Sequence, residues 1–286
     1  MKYFTLVLTE NELQQLKNAY KNHLRDLNIE HVSFSAVHNN VEIIGYNSGK
    51  LMLRGEDISK EIKLVKKILN RKDYEAIGSD EVGTGDVFGP ITVCAAYVSI
   101  SDIEFLESLN VRDSKSVTDK YIIENAPMIA KKLTHSLIIL SPEKYNKLID
   151  EGYNLNKIKA HLHNQALISL MAKLESKNEI PVIVDQFCQP QLYFNYLKDE
   201  MLVYRDITFI TKAENVHLSV AAAAIIARYA FLYSLQKYGK KIGISLVKGA
   251  SKNADIQINE IHQKFGQQTL FKLVKKNFKN VTKLNL

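Results

Sequence analysis

Apolar and polar positions recur along this chain at two periods, and residues 1–68 use both. Residues 3–8 (YFTLVL) alternate in the manner of a half-buried strand. Thr9 with Glu12 three residues later forms a capping box, and Leu13, Leu16, Tyr20 and Leu24 continue at helical spacing. Short runs at 31–37, 41–46 and 50–54, separated by Asn39-Asn40 and Asn47-Ser48-Gly49, predict hairpins. A second helix over about 56–69 places Ile58, Ile62, Val65 and Ile68 on one face. The order β-α-β-β-β-α predicts a small α+β domain over 1–68. A charged linker over 69–74 follows, containing Asn70, Arg71, Lys72 and Asp73.

Beyond the linker the pattern changes to strands alternating with helices. Strands are predicted from Tyr74 up to the acidic tip Asp80-Glu81, and at 91–99, 135–140, 181–186 and 202–210. Helices are predicted at 119–133, from 142, at 157–176 and at 217–237, the last rich in alanine and read as buried. Residues 75–286 therefore read as one α/β domain, a mixed sheet flanked by helices. No apolar run approaches the ~18 uncharged residues that span a bilayer, and the N-terminus turns polar too soon for a secretory signal, so no membrane partner is expected.

Formal net charge is +7, which agrees with a polyanionic partner and equally with a solvated basic surface. Residues 271–286 carry five lysines and no acid, and Lys237, Lys240, Lys241, Lys248 and Lys252 form a second group. On the strand 50–54, Lys50, Met52 and Arg54 share one face, with Tyr46 just across the turn. Basic and aromatic side chains on an open sheet suit nucleic acid, and also suit an ordinary polar face. Cys94 and Cys188 form no motif and read as reduced thiols of a cytoplasmic protein.

The chemistry gathers on YEAIGSDEVGTGDVFGPITVCAAYV (74–98), where a strand ends in Asp80-Glu81 and runs into Gly83-Thr84-Gly85. Asp185 ends the apolar strand Val182-Ile183-Val184, and Glu214 precedes the alanine-rich helix. Functional groups collect at the carboxyl ends of strands in α/β sheets, so Asp80 and Asp185 face one another if their strands are neighbours. Clustered carboxylates repel unless a cation lies among them, and Mg²⁺ suits hard oxygens. Taken singly, Asp185 also fits a strand-end turn and Glu214 a helix N-terminus. The glycines let backbone groups approach an anion or a ribose 2′-hydroxyl.

GSDEVGTGDVFGP, DSK (113–115), VDQF (184–187), KAE (212–214), VAAAAIIAR (220–228), YNLNKIKAHLHNQAL (153–167) and KGAS (248–251) together resemble the type 2 ribonuclease H family, in its HIII branch. Thr84 stands where the HII branch usually has arginine. AVHNNVEIIGYNSGKLMLRG resembles the hairpins of the TATA-box-binding-protein-like domain that HIII members carry. The resemblance implies a ribonuclease H-like catalytic domain acting on RNA/DNA hybrids as a monomer. It implies two divalent ions, Mg²⁺ or Mn²⁺, held by Asp80, Glu81, Asp185 and Glu214. Cleavage of the RNA strand would leave 5′-phosphate and 3′-hydroxyl ends. Gly83, Thr84 and Gly85 would contact the ribose strand, Ser114 and Lys115 phosphates, and Tyr46, Lys50 and Arg54 the hybrid. Asp86 stays outside the acid quartet. The alternatives are HII-like cutting at isolated ribonucleotides, a non-catalytic nucleic-acid-binding protein, and a phosphatase-like hydrolase of small esters, against which the extra N-terminal domain argues.

Overall fold

The computed structural model describes residues 1–25, 29–111, 117–174 and 180–284. Two sheets organise it. The first is built from β1 (Lys2–Val7), β2 (Val32–His38), β3 (Val41–Tyr46) and β4 (Lys50–Gly55), in the order β1-β4-β3-β2 and antiparallel throughout. Helices α1 (Glu10–Ala19) and α2 (Ser59–Ile68) cover one face. Phe4, Leu6, Ile43, Leu51 and Leu53 pack there with Leu16, Ile62 and Val65. Period 2 in the strands and 3.6 in the helices turn these side chains inward together. The Thr9–Glu12 capping box forms as the sequence predicts.

Among the described residues, no helix covers the opposite face. Its rows include Tyr3, Thr5 and Val7 on β1, Lys50, Met52 and Arg54 on β4, and Glu42 on β3. Arg54 forms an ion pair with Glu42 across the strands, so its charge is partly neutralised. Arg71 turns back to Glu12 at 2.7 Å and donates to the Val7 carbonyl, fastening the linker onto the small sheet.

The second sheet has the order β7-β6-β5-β8-β9, from β5 (Ala76–Val82), β6 (Ile91–Val98), β7 (His135–Leu140), β8 (Val182–Asp185) and β9 (Thr208–Ile210). The pairs β5–β6 and β6–β7 are antiparallel, whereas β5–β8 and β8–β9 are parallel. On one face lies α6 (Leu155–Met171), against Ile77, Val93 and Ala95. On the other lies α8 (Leu218–Ile242), against Cys94 and Ala96. A β-carbon at Gly78 would overlap the amide nitrogen of Val220, so glycine is what lets the start of α8 touch β5. Helices α3 (Ile100–Ser108), α4 (Asp119–Lys132), α5 (Pro142–Asp150), α7 (Pro190–Tyr196), α9 (Lys252–Phe271) and α10 (Lys279–Thr282) complete the layers. Lys66 of α2 meets Glu107 of α3 at 2.7 Å, and Lys63 meets Glu104 at 3.2 Å, joining the two units.

Three expectations change. The strand predicted over 202–210 is confined to β9. Asn164 of α6 donates to the Leu202 carbonyl (2.8 Å) and accepts from the Tyr204 amide (2.9 Å), so a side chain takes backbone groups that a ladder would use. By length and composition α8 alone qualifies as a membrane span among the described residues, contrary to the sequence reading; 78% of its most apolar stretch is buried, as in a core helix. The C-terminal lysines do not form one exposed basic strip. Lys275 is fully buried, Lys276 pairs with Asp150, and Lys283 pairs with Asp255.

Candidate active site

Asp80 and Glu81 are adjacent on β5, so their side chains leave opposite faces of the sheet. The parallel register sets Ser79 beside Val184, which places Asp80 beside Asp185 one step further along. Both strands run into this end, and α8 packs on the same face through Ala76, Ile183 and Val220. Glu214 enters from the one-turn 3-10 helix Ala213–Asn215, between β9 and α8, and is buried. The Ala213 amide donates to Asp185 Oδ1 at 2.9 Å, tying that turn to the end of β8. Asp80, Asp185 and Glu214 therefore approach one another on the α8 face.

Their electrostatics reflect this crowding. Withdrawal from water pushes the Asp80 carboxyl well above the usual range, and the charges of Glu81, Asp185 and Glu214 push it further. The Glu81 amide donates to Asp80 Oδ1 at 2.7 Å and opposes the shift.

Glu81 has the opposite balance. Burial disfavours its charge, but His163 and Lys159 outweigh burial and lower its pKa. Lys159 forms an ion pair with Oε1. His163 lies 2.8 Å from Oε2 through Nε2, and 2.7 Å from Ser79 Oγ through Nδ1. The Ser79 hydroxyl also lies 3.1 Å from the Cys94 carbonyl, and Phe187 stacks on His163. Lys159 and His163 are one helical turn apart on α6, on the apolar face that carries Ile158, Leu162 and Ala166. Neither was singled out from sequence. The available signal was two ionisable residues at i and i+4 among inward positions.

The loop from Gly83 to Pro90 joins β5 to β6. Gly83 has φ of 95°, and a β-carbon there would strike the Pro90 carbonyl, so only glycine turns the chain at this point. Gly85 is exposed, and a β-carbon there meets nothing within 4 Å. Thr84 is half-buried between them. Asp86 accepts from the Gly249 amide at 2.6 Å, which gives it a structural task. Tyr46 and Lys50 flank the β3–β4 turn on the open face of the small sheet, and Lys50 is exposed. Ser114 and Lys115 lie outside the described residues.

The donors on the α8 face are carboxylate oxygens, the type preferred by hard divalent cations. Among the described residues no three His, Cys, Asp or Glu side chains form a finished metal cage. The mutual repulsion at Asp80 is nonetheless what a cation relieves, so the residues fit one.

This sheet, with acids at the carboxyl ends of neighbouring strands, is the architecture of a ribonuclease H-type hydrolase. The family model described as Ribonuclease HII matches residues 77–281, and one described as a domain of unknown function matches 4–73. A ribonuclease HIII of Phytoplasma mali is 50% identical over 99% of this chain and 98% of its own length. One of Bacillus pumilus is 37% identical over 99% and 98%. A crystal structure of Bst-RNase HIII in complex with Mn²⁺ superposes with a TM-score of 0.75 at 33% identity, covering 99% of this chain and 97% of that one. The chain belongs to the ribonuclease HIII family.

Proposed function

We propose that this ribonuclease cuts the RNA strand of RNA/DNA hybrids endonucleolytically, leaving 5′-phosphate and 3′-hydroxyl ends. The observation that carries the reading is Asp80, a carboxyl held against Asp185 and Glu214 at the meeting point of β5, β8 and the turn before α8. Asp80, Glu81, Asp185 and Glu214 would hold two divalent ions, Mg²⁺ or Mn²⁺. Bound there, such ions supply Lewis-acid activation of water and neutralise charge on the scissile phosphate. Asp80 and Asp185 orient the reacting phosphate from adjacent strand ends. Lys159 and His163 keep Glu81 ionised in a buried setting. Gly83, Thr84 and Gly85 offer backbone groups to the ribose strand, where a 2′-hydroxyl distinguishes RNA from DNA. Ser114 and Lys115 contact phosphates in this reading.

We place the domain boundary at 69–74, with residues 1–68 as a TATA-box-binding-protein-like platform whose uncovered face meets the hybrid through Tyr46, Lys50 and Arg54. Lys50→Glu is expected to weaken hybrid binding about tenfold and flatten the salt dependence by roughly one ion, with kcat at saturation within twofold. Fluorescence anisotropy across a KCl series measures this, and an unchanged dissociation constant removes the platform. In this reading the chain acts as a monomer. Both cysteines are free, which suits the cytoplasm.

The deciding experiment is cleavage of a continuous RNA/DNA hybrid, and of a DNA duplex with one embedded ribonucleotide, in Mg²⁺ and in Mn²⁺ with product ends mapped. Metal-dependent internal cuts in the hybrid with 5′-phosphate ends are expected. Preference for the single ribonucleotide would move the chain to HII-like activity, and absence of cleavage would reduce it to a binding protein.

A further inference from the structure

The loop that follows the acids is held from behind by the C-terminal part of the chain. The Gly89 amide donates to the Leu273 carbonyl at 2.9 Å, and the Lys275 amide donates to Val87 at 2.9 Å. Phe88 and Val274 form an isolated bridge, and Val87 donates to Gly249 at 3.1 Å. Inside this clasp lies Lys275, whose side chain is fully buried. Its Nζ donates to the Asp86 carbonyl at 2.6 Å and to the Gly89 carbonyl at 2.8 Å. A sealed ammonium is costly, and here it binds the carbonyls at the two ends of the bend 86–89, whose residues Val87, Phe88 and Gly89 are themselves buried.

We propose that Lys275 is a positioning residue for recognition of the RNA strand: its ammonium gathers the Asp86 and Gly89 carbonyls inward and so fixes the surface that Gly83, Thr84 and Gly85 present to the hybrid. This rests on the reading of 83–85 as the ribose-strand contact. The lysine side chain bonds backbone carbonyls of the loop, and through them it acts on the loop backbone. The Asp86 amide in turn donates to the Gly83 carbonyl at 3.4 Å, so an Asp86 peptide held by the ammonium steadies the turn 83–86 that precedes it. Burial lowers the Lys275 pKa to about 7, with the Asp86 charge opposing the shift. Asp86 is the charge facing it from the loop; the Phe278 ring lies 5.8 Å from Nζ, and neighbouring Lys276 is engaged with Asp150. The ammonium is therefore lost, and its two bonds weakened, as pH rises through the neutral range.

The test compares full-length Lys275→Met and Gly85→Val with the unsubstituted chain on an RNA/DNA hybrid. Lys275→Met is expected to raise KM about tenfold with kcat within twofold, and to cut the binding preference for hybrid over DNA duplex by a similar factor. A lower melting temperature with KM and preference unchanged would make Lys275 merely structural and overturn the proposal. Gly85→Val adds bulk in open space, so it reports on the contact itself. If Gly85→Val leaves KM unchanged, the loop does not meet the hybrid and the underlying reading falls. If Gly85→Val raises KM and Lys275→Met does not, only the inference about Lys275 falls. Should Lys275→Met not fold, deuterium exchange of the unsubstituted chain decides. Peptides spanning 83–89, corrected for intrinsic rates, should exchange several-fold faster at pH 9 than at pH 6, and equal protection would overturn the proposal.

Discussion

Asp80→Asn should reduce cleavage of an RNA/DNA hybrid by on the order of 10³-fold or more while leaving the hybrid's dissociation constant within about twofold. The amide keeps the shape of the carboxylate and still accepts from the Glu81 amide, so the backbone of the strand tip has no reason to move. What it removes is a negative charge at the centre of four acids. The same substitution should raise the melting temperature in metal-free buffer. A carboxyl with a folded pKa above its unfolded value binds more protons in the folded state. Stability therefore falls as pH rises from the unfolded value through the folded one, and the penalty is complete above the folded value. Removing the charge removes the penalty. Loss of activity with a stability gain is the signature of a residue kept for chemistry against the interest of the fold. Metal-dependent cleavage retained at near the original rate would end the assignment of Asp80.

Lys159→Met should do the reverse to stability. Glu81 and Lys159 each have only 9% of their side chains exposed, so their ion pair is buried. Removing one partner of a buried pair strands the other charge, which costs about 3–5 kcal/mol in such cases. His163 retains its contact with Glu81 Oε2, so the lower end applies. The melting temperature should fall by roughly 5–10 °C for a chain of this size. Methionine nearly conserves volume and can lie against Phe187, where the ammonium now sits 4.0 Å from the ring centroid. Adding Glu81→Gln to Lys159→Met should recover most of the lost stability, because the stranded charge is gone, and should not recover cleavage. A double-mutant cycle of melting temperatures and turnover separates the two effects. Unchanged stability in the single variant would show that the pair contributes nothing to holding Glu81.

Much of this arrangement was legible in the residues. The strand tip at Asp80, the apolar strand ending at Asp185 and the alanine-rich helix after Glu214 follow from period and composition, and their meeting follows from the parallel pairing of β5 with β8. The helix–strand alternation also gave the mixed sheet, with the N-terminal unit in the order read from sequence. Other features were hidden for physical reasons. Lys159 and His163 are ionisable residues within a helix, and only the fold shows that their apolar neighbours take them inside. Residues 202–207 have strand composition, but a side chain on a distant helix satisfies their backbone. The last helices were not read because Gly266, with φ of 78°, resets the phase of α9 midway. Lys275 sits among four other lysines, and nothing local distinguishes the buried one.

The clasp on the 83–89 loop also bears on the order in which the molecule is made. Asp80 leaves the ribosome early, yet its parallel neighbour β8 is about a hundred residues downstream, and the backbone that grips the loop arrives only with residues 273–275. Contacts so distant in sequence form late, after the local helices and hairpins. A growing chain thus carries the two leading acids exposed for most of its synthesis without the framework that gives them geometry. Chains ending before residue 273 therefore lack the backbone groups that grip this loop.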